Sequence, residues 1–322
     1  MNITEQGATI TRGQGGVLGA GRAAVFGRAA WGVLAYNLLV VLWGALVRAT
    51  GSGAGCGGHW PLCNGDVIPN LQTAATVIEY THRLMSGLAV VAVCGLWLWS
   101  RGVFPRGHRA RWWAGLAAVL LAIEALLGAG LVLFDYVAHN ASIGRGFYLA
   151  VHLANTQLLL GALAMTAWTA ARGKALVRAA VPGALQAALP LAIGLSMTGA
   201  VAALGDTLFP ARSFRAGLAQ EFAPATHFLL RLRLAHPPLA VLLGFLFLYA
   251  ASSAVRARPS AAVRRMAAAV AALALVQLAA GALNVALAAP VWMQLVHLLL
   301  ANLLWIALVL LAANAAAAEE RP

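Results

Sequence analysis

Charge is what this chain has least of. Only 10% of its 322 residues are Asp, Glu, Lys or Arg, and nine of them are acidic. A soluble globular domain carries about 25% charged residues, so a soluble enzyme or binding module is excluded. Cysteine is scarce as well: Cys56, Cys63 and Cys94 are the whole set. They form no Cys/His cluster and no ligand set at zinc spacing, which argues against a zinc centre. No stretch reads as a separable soluble domain. Apolar residues are abundant instead, at 62%, with a mean hydropathy of +0.82. Apolar runs recur at the length of about 20 residues that a helix needs to span a bilayer. The chain reads as an all-α polytopic membrane protein.

Eight spans are expected, near 31–47, 78–99, 112–134, 148–170, 184–204, 227–251, 267–289 and 293–316. The net charge of +13 would suggest nucleic acid in a soluble protein, but here the arginines cluster between the apolar runs. Fifteen of the 22 basic residues fall on one side, in the N-terminal tail, in "SRGVFPRGHRAR", in "ARGKALVR", around Arg256–Arg265 and at Arg321. The positive-inside rule makes that side cytoplasmic, with both termini, and predicts a multi-pass protein of the cell membrane. The Gly- and Arg-rich residues 1–30 read as a flexible tail, with an organelle transit peptide as the alternative. Residues 171–183 read as a cytoplasmic linker and 317–322 as a second tail.

Residues 31–170 and 184–316 look like duplicated halves of four spans each. "IEALLGAGLV" from Ile123 matches "VQLAAGALNV" from Val276, so Glu124 stands four before Gly128 as Gln277 stands four before Gly281. "VHLANTQLLLG" from Val151 matches "VHLLLANLLWI" from Val296, aligning His152 with His297. Four spans preserve orientation, so the repeats are expected to be parallel.

Five of the eight histidines fall in or at the ends of spans: His82, His152, His227, His236 and His297. An ionisable group at bilayer depth is costly and normally faces the bundle interior. A single such histidine is as readily a hydrogen-bonded helix contact. The pattern favours more: His82 and His152 lie on two helices of the first half, His236 and His297 on two helices of the second. Two histidines from different helices can clamp a flat macrocycle, and haem iron accepts axial histidines. His227 precedes His236 by nine residues, about 900° of helix rotation, so the two face opposite sides. His236 is preferred because it lies deeper and opens "HPPLAVLLG", where Pro237 and Pro238 are expected to bend the helix and widen a cavity.

Glu79 and Glu124 are the acidic residues that fall within the expected spans. Glu79 stands three before His82 on one helix face, whereas Arg233 stands three before His236. Glu79 is therefore a candidate for acid–base or electrostatic work, or the partner of Arg83 in an ion pair. Glu124 reads as packing. Arg83, Arg231 and Arg233 are candidate contacts for haem propionates, or interfacial anchors. Cys56 and Cys63 share the loop "GSGAGCGGHWPLCNGDVIPN", where a disulfide, free thiols or an exchanging pair are all open. Cys94 reads as packing.

Together these residues resemble the haem A synthase family. "GSGAGCGGHWPLCNGDVIP" is similar to its first outer loop and "EYTHR" (79–83) to its Glu-x-x-His-Arg motif. "VHLANT" (151–156), "TGAVAALGDTLFP" (198–210) and "VHLLLANLLW" (296–305) resemble its later motifs, in the family's order. The resemblance implies an eight-helix fold of two four-helix halves. It implies haem O as substrate, held by His82 and His152, and a haem B cofactor whose iron is bound by His236 and His297. It implies Glu79 as the catalytic carboxylate, a Cys56–Cys63 disulfide, and oxidation of a ring methyl to a formyl group through the alcohol, with oxygen from water. Expected partners are the lipid bilayer, a haem O synthase, terminal oxidase assembly factors and a second copy of the chain. A dihaem b-type electron carrier and a transporter built from parallel repeats are the alternatives.

Overall fold

The structure, a computed structural model, describes residues 3–172, 181–223 and 226–317, with side chains from residue 21. The chain is helical: α1 (Ile3–Ala49), α2 (Ala74–Val103), α3 (Arg109–Leu133), α4 (Ile143–Arg172), α5 (Gly183–Leu208), a short α6 (Phe214–Glu221), α7 (Phe228–Ala257), α8 (Ala261–Ala286) and α9 (Val291–Ala316). Among the described residues no strand is formed. Eight helices, all but α6, are long and apolar enough to cross a membrane. Most of the expected linker and second tail lies outside the described residues.

The first span differs most from expectation. Its apolar, membrane-length part runs Gly21–Ala49, so residues 21–30 belong to the helix and not to a flexible tail. Ala23, Phe26, Gly27 and Ala30 recur at helical spacing and turn inward, while Arg22 and Arg28 stay exposed on the opposite face. Phe26 is fully buried, with ring centroids 5.3 Å from Trp99 and 5.1 Å from Phe104, both edge-on. The glycines and arginines that hide the apolar stripe in the sequence lie beside it on the helix surface. Other starts follow from caps: the Thr73 hydroxyl accepts from the amide of Thr76 (3.1 Å) and the Ser260 hydroxyl from that of Val263 (3.3 Å). The Pro237–Pro238 pair lies inside α7, which runs on as one helix.

α4 forms the centre. It packs against α1, α3, α5 and α9, and it is the most buried span. Lipid tails are as apolar as leucine, so polar contacts between helices fix which faces meet. Gln157 of α4 donates to Ser196 of α5 (3.2 Å) and to Asn302 of α9 (3.0 Å). The Trp305 indole of α9 donates to the Gln157 carbonyl at 2.6 Å. α1 is tied to α5 and α9 by Arg48, whose guanidinium donates to the Ala203 carbonyl (2.6 Å), the Thr207 hydroxyl (2.5 Å) and the Gln294 side chain (2.9 Å).

Candidate active site

A cavity of about 1210 Å³ opens between these helices, and His82, His152, His236 and His297 all line it. That is larger than the roughly 300–1,000 Å³ typical of a single small-molecule pocket. The histidines come from α2, α4, α7 and α9. His227 does not reach the cavity: it caps α7, its Nδ1 accepting from the Leu229 amide at 3.3 Å, and packs between Phe209 and Phe228.

Each of the four imidazoles rests against a glycine of a neighbouring helix. A Cβ on Gly44 (α1) would stand 3.0 Å from His82 Cε1, and one on Gly199 (α5) 3.1 Å from His236 Cε1. A Cβ on Gly281 (α8) would stand 3.1 Å from His297 Cε1, and one on Gly128 (α3) 3.9 Å from His152 Nε2. At the first three places the ring edge would have to give by a few tenths of an ångström to admit a Cβ.

The same neighbouring helices supply polar partners. Glu124 Oε1 lies 3.0 Å from His152 Nδ1, an ion-pair contact whose angle falls outside hydrogen-bond geometry. The carboxylate also accepts from Asn155 (2.6 Å) and from the Thr156 hydroxyl. Gln277 Nε2 lies 3.2 Å from His297 Nε2, and the Thr198 hydroxyl 2.9 Å from His236 Nδ1. Glu124 is thus more than packing. Its spacing four before Gly128, repeated as Gln277 four before Gly281, puts a polar group and a glycine on one helix face, and both touch the same histidine. That repeated spacing was the signal in the sequence.

Glu79 is 4% exposed and lines the cavity. Its Oε2 accepts from the Cys56 amide (2.8 Å) and its Oε1 from Arg83 (2.5 Å). Arg83 in turn donates to the carbonyls of His59 and Leu62, both at 2.6 Å. Cys56 and Cys63 are disulfide-bonded, with a Cα–Cα distance of 4.4 Å, and both are buried. Thus the carboxylate is held by the disulfide loop and by an ion pair at once. Cys94 is free and partly buried.

Two of the three arginines expected to meet propionates are committed elsewhere. Arg83 is paired as above. Arg233 lines the cavity but bonds Asp206 (2.8 Å) and Glu221 (2.7 Å). Arg231 is exposed and outside the cavity lining. The Arg233 pairs also change the expected contrast between the two sites. Asp206 lies inside α5, beyond the expected end of that span, so the second site has carboxylates nearby, supplied by α5 and α6. Among the described residues no three His, Cys, Asp or Glu side chains converge as a metal cluster.

Comparison with known proteins adds the following. The family model described as "COX15-CtaA: Cytochrome oxidase assembly protein" matches residues 27–309. A "Protoheme IX farnesyltransferase" of Thermus thermophilus is 51% identical over 289 residues, covering 89% of this chain and 48% of that protein. A "Heme A synthase" of Alkalihalophilus pseudofirmus is 46% identical over 99 residues, 30% of this chain and 33% of that protein. One of Bacillus cereus is 40% identical over 112 residues, 35% of this chain and 36% of that protein. The chain therefore spans about half the length of the Thermus relative.

Proposed function

Because the chain belongs to the COX15-CtaA family of cytochrome oxidase assembly proteins, we propose that it is a haem A synthase, oxidising a ring methyl of haem O to a formyl group through the alcohol, with water as the oxygen source. The observation that carries this reading is the set of four cavity-lining imidazoles, two from α2 and α4 and two from α7 and α9.

The residues fit the groups assigned to them. Thr198 at His236 Nδ1 and Glu124 at His152 Nδ1 engage that ring nitrogen from the next helix, which leaves Nε2 of both rings to meet iron. His82 and His152 would hold the substrate haem, and His236 and His297 the iron of a resident haem B, which when bound supplies a one-electron acceptor inside the bilayer. The second set of helices would be its domain, and the Arg-rich side the cytoplasmic face of the cell membrane.

This chain's own contribution falls to Glu79. Converting methyl to alcohol consumes one water and releases two protons and two electrons. Converting alcohol to aldehyde releases two more of each. Withdrawing electrons leaves an electron-poor carbon, which a fixed carboxylate stabilises. Glu79 is poised for that role: buried, lining the cavity, one helical turn from His82, and held by Cys56 and Arg83. The disulfide loop supports its placement, so loop and carboxylate act as one unit.

A b-type electron carrier would use the same histidines without such a carboxylate. A transporter of parallel repeats would use interrupted spans, whereas the eight spans here are continuous. From the Thermus relative's name, a protohaem farnesyltransferase about twice the length of the match, the reading takes the substrate class, a protohaem, and prenyl transfer as the step before oxidation, with a haem O synthase as the expected partner.

Glu79→Gln tests the role. The amide keeps an oxygen for the Cys56 amide and loses the charge. Expressed beside a haem O source, it should retain both haems and make no haem A. Normal haem A in the extracted pigment would refute it.

A further inference from the structure

Among the described residues, four arginines line the cavity: Arg48, Arg83, Arg145 and Arg233. Arg83 and Arg233 are neutralised by carboxylates. The other two are not. Arg145 is 3% exposed, and its Nη1 donates to the carbonyls of Ala138 (2.7 Å) and Asn140 (2.8 Å). Its Nε is buried without a partner. The partners of Arg48 are a carbonyl, a hydroxyl and an amide. Asp206 acts on Arg48 from a distance, while Arg48 and Arg145 repel each other. Asp206 itself makes its ion pair with Arg233.

Two cations that line one apolar cavity, Arg145 buried and Arg48 partly so, with only neutral hydrogen-bond partners are costly. An anion between them relieves both costs. Their height in the bundle says which anion. Arg48 follows Gly44, the residue against His82, by four positions, roughly 6 Å along the helix at about 1.5 Å per residue. Arg145 precedes His152 by seven, roughly 10 Å on the same scale and toward the same end. Both guanidiniums therefore lie beyond the histidine layer, at the end of the cavity that carries the disulfide loop. A macrocycle held between His82 and His152 would bring its rim to that level.

We propose that Arg145 and Arg48 form the anion site that receives the carboxylate side chains of the porphyrin held between His82 and His152. The proposal rests on the haem-binding reading above and replaces Arg83, Arg231 and Arg233 as the expected contacts. It also sets orientation: the acidic edge faces the loop end, so the opposite edge of the ring points deeper into the bundle.

The experiment compares haem B with its dimethyl ester, which keeps the iron and the ring and loses both charges. Each is titrated by visible absorbance into protein purified from haem-starved cells. The equivalent at the first pair is identified as the one lost in His82→Ala. Wild-type protein should bind the diacid about tenfold or more tightly than the diester, the scale of one charge-assisted hydrogen bond. In Arg145→Gln, and separately in Arg48→Gln, the diacid should weaken about tenfold while the diester is unchanged. Equal wild-type affinity for the two forms would overturn the proposal and leave the haem-binding reading standing. Equal weakening of both forms in both variants would make the arginines structural and overturn it as well. Failure of wild-type protein to bind either form would overturn the reading beneath it.

Discussion

Adding one methyl group to Gly44, Gly199 or Gly281 puts a carbon 3.0–3.1 Å from an imidazole ring atom, whereas the same change at Gly128 leaves 3.9 Å, ordinary contact. These four substitutions are matched in chemistry and in helical setting, and they differ in the space in front of the methyl. Glycine to alanine inside a helix gains about 0.8–1.0 kcal/mol in helix propensity. Overpacking of a filled site costs about 1–3 kcal/mol. At Gly128 the gain stands alone, so Gly128→Ala should raise the melting temperature slightly and leave haem content unchanged. At the other three the ring must give way by a few tenths of an ångström, which misdirects the iron-binding nitrogen. Haem affinity should fall about 5- to 150-fold, the equivalent of that overpacking cost at about 1.4 kcal/mol per tenfold. Pyridine haemochrome content per polypeptide and thermal melting in detergent read both effects. Full haem content in all three crowded variants would refute the reasoning, as would a loss at Gly128 as large as theirs.

His236→Ala should remove one b-type haem signal while His227→Ala keeps it, since His227 only caps α7 and packs on two phenylalanines; the reverse spectra would move the ligand to His227. Glu124→Gln should raise the reduction potential of the haem at the first pair, because a carboxylate at a ligand's Nδ1 makes the imidazole a stronger donor than an amide does. Potentiometric titration with an unchanged value would confine Glu124 to packing.

The eight spans were legible in the sequence because hydropathy decides them, and 100° per residue separated His236, which lines the cavity, from His227, which does not. Histidines at matched places on alternate helices pointed to pairs without a third ligand. The start of α1 was not legible, since a stripe of Ala23, Phe26, Gly27 and Ala30 is masked by interleaved glycine and arginine. The task of Glu124 was hidden for a different reason. A side chain's partner on the next helix depends on helix rotation, which composition does not reveal, although the repeated spacing to glycine held the clue. The arginines failed for a related cause: which cation is neutralised depends on distant carboxylates such as Asp206 and Glu221. Glu79 beside Arg83 was visible as an i, i+4 pair, but its bond to the Cys56 amide needed the loop's fold.

Haem extraction from the purified wild-type protein, expressed beside a haem O source, tests the central claim most directly. The account predicts haem B together with haem O or its alcohol and aldehyde products, in a protein whose visible spectrum shows two haem sites. Haem B alone would mark an electron carrier, and a colourless protein would contradict the assignment of the four histidines altogether.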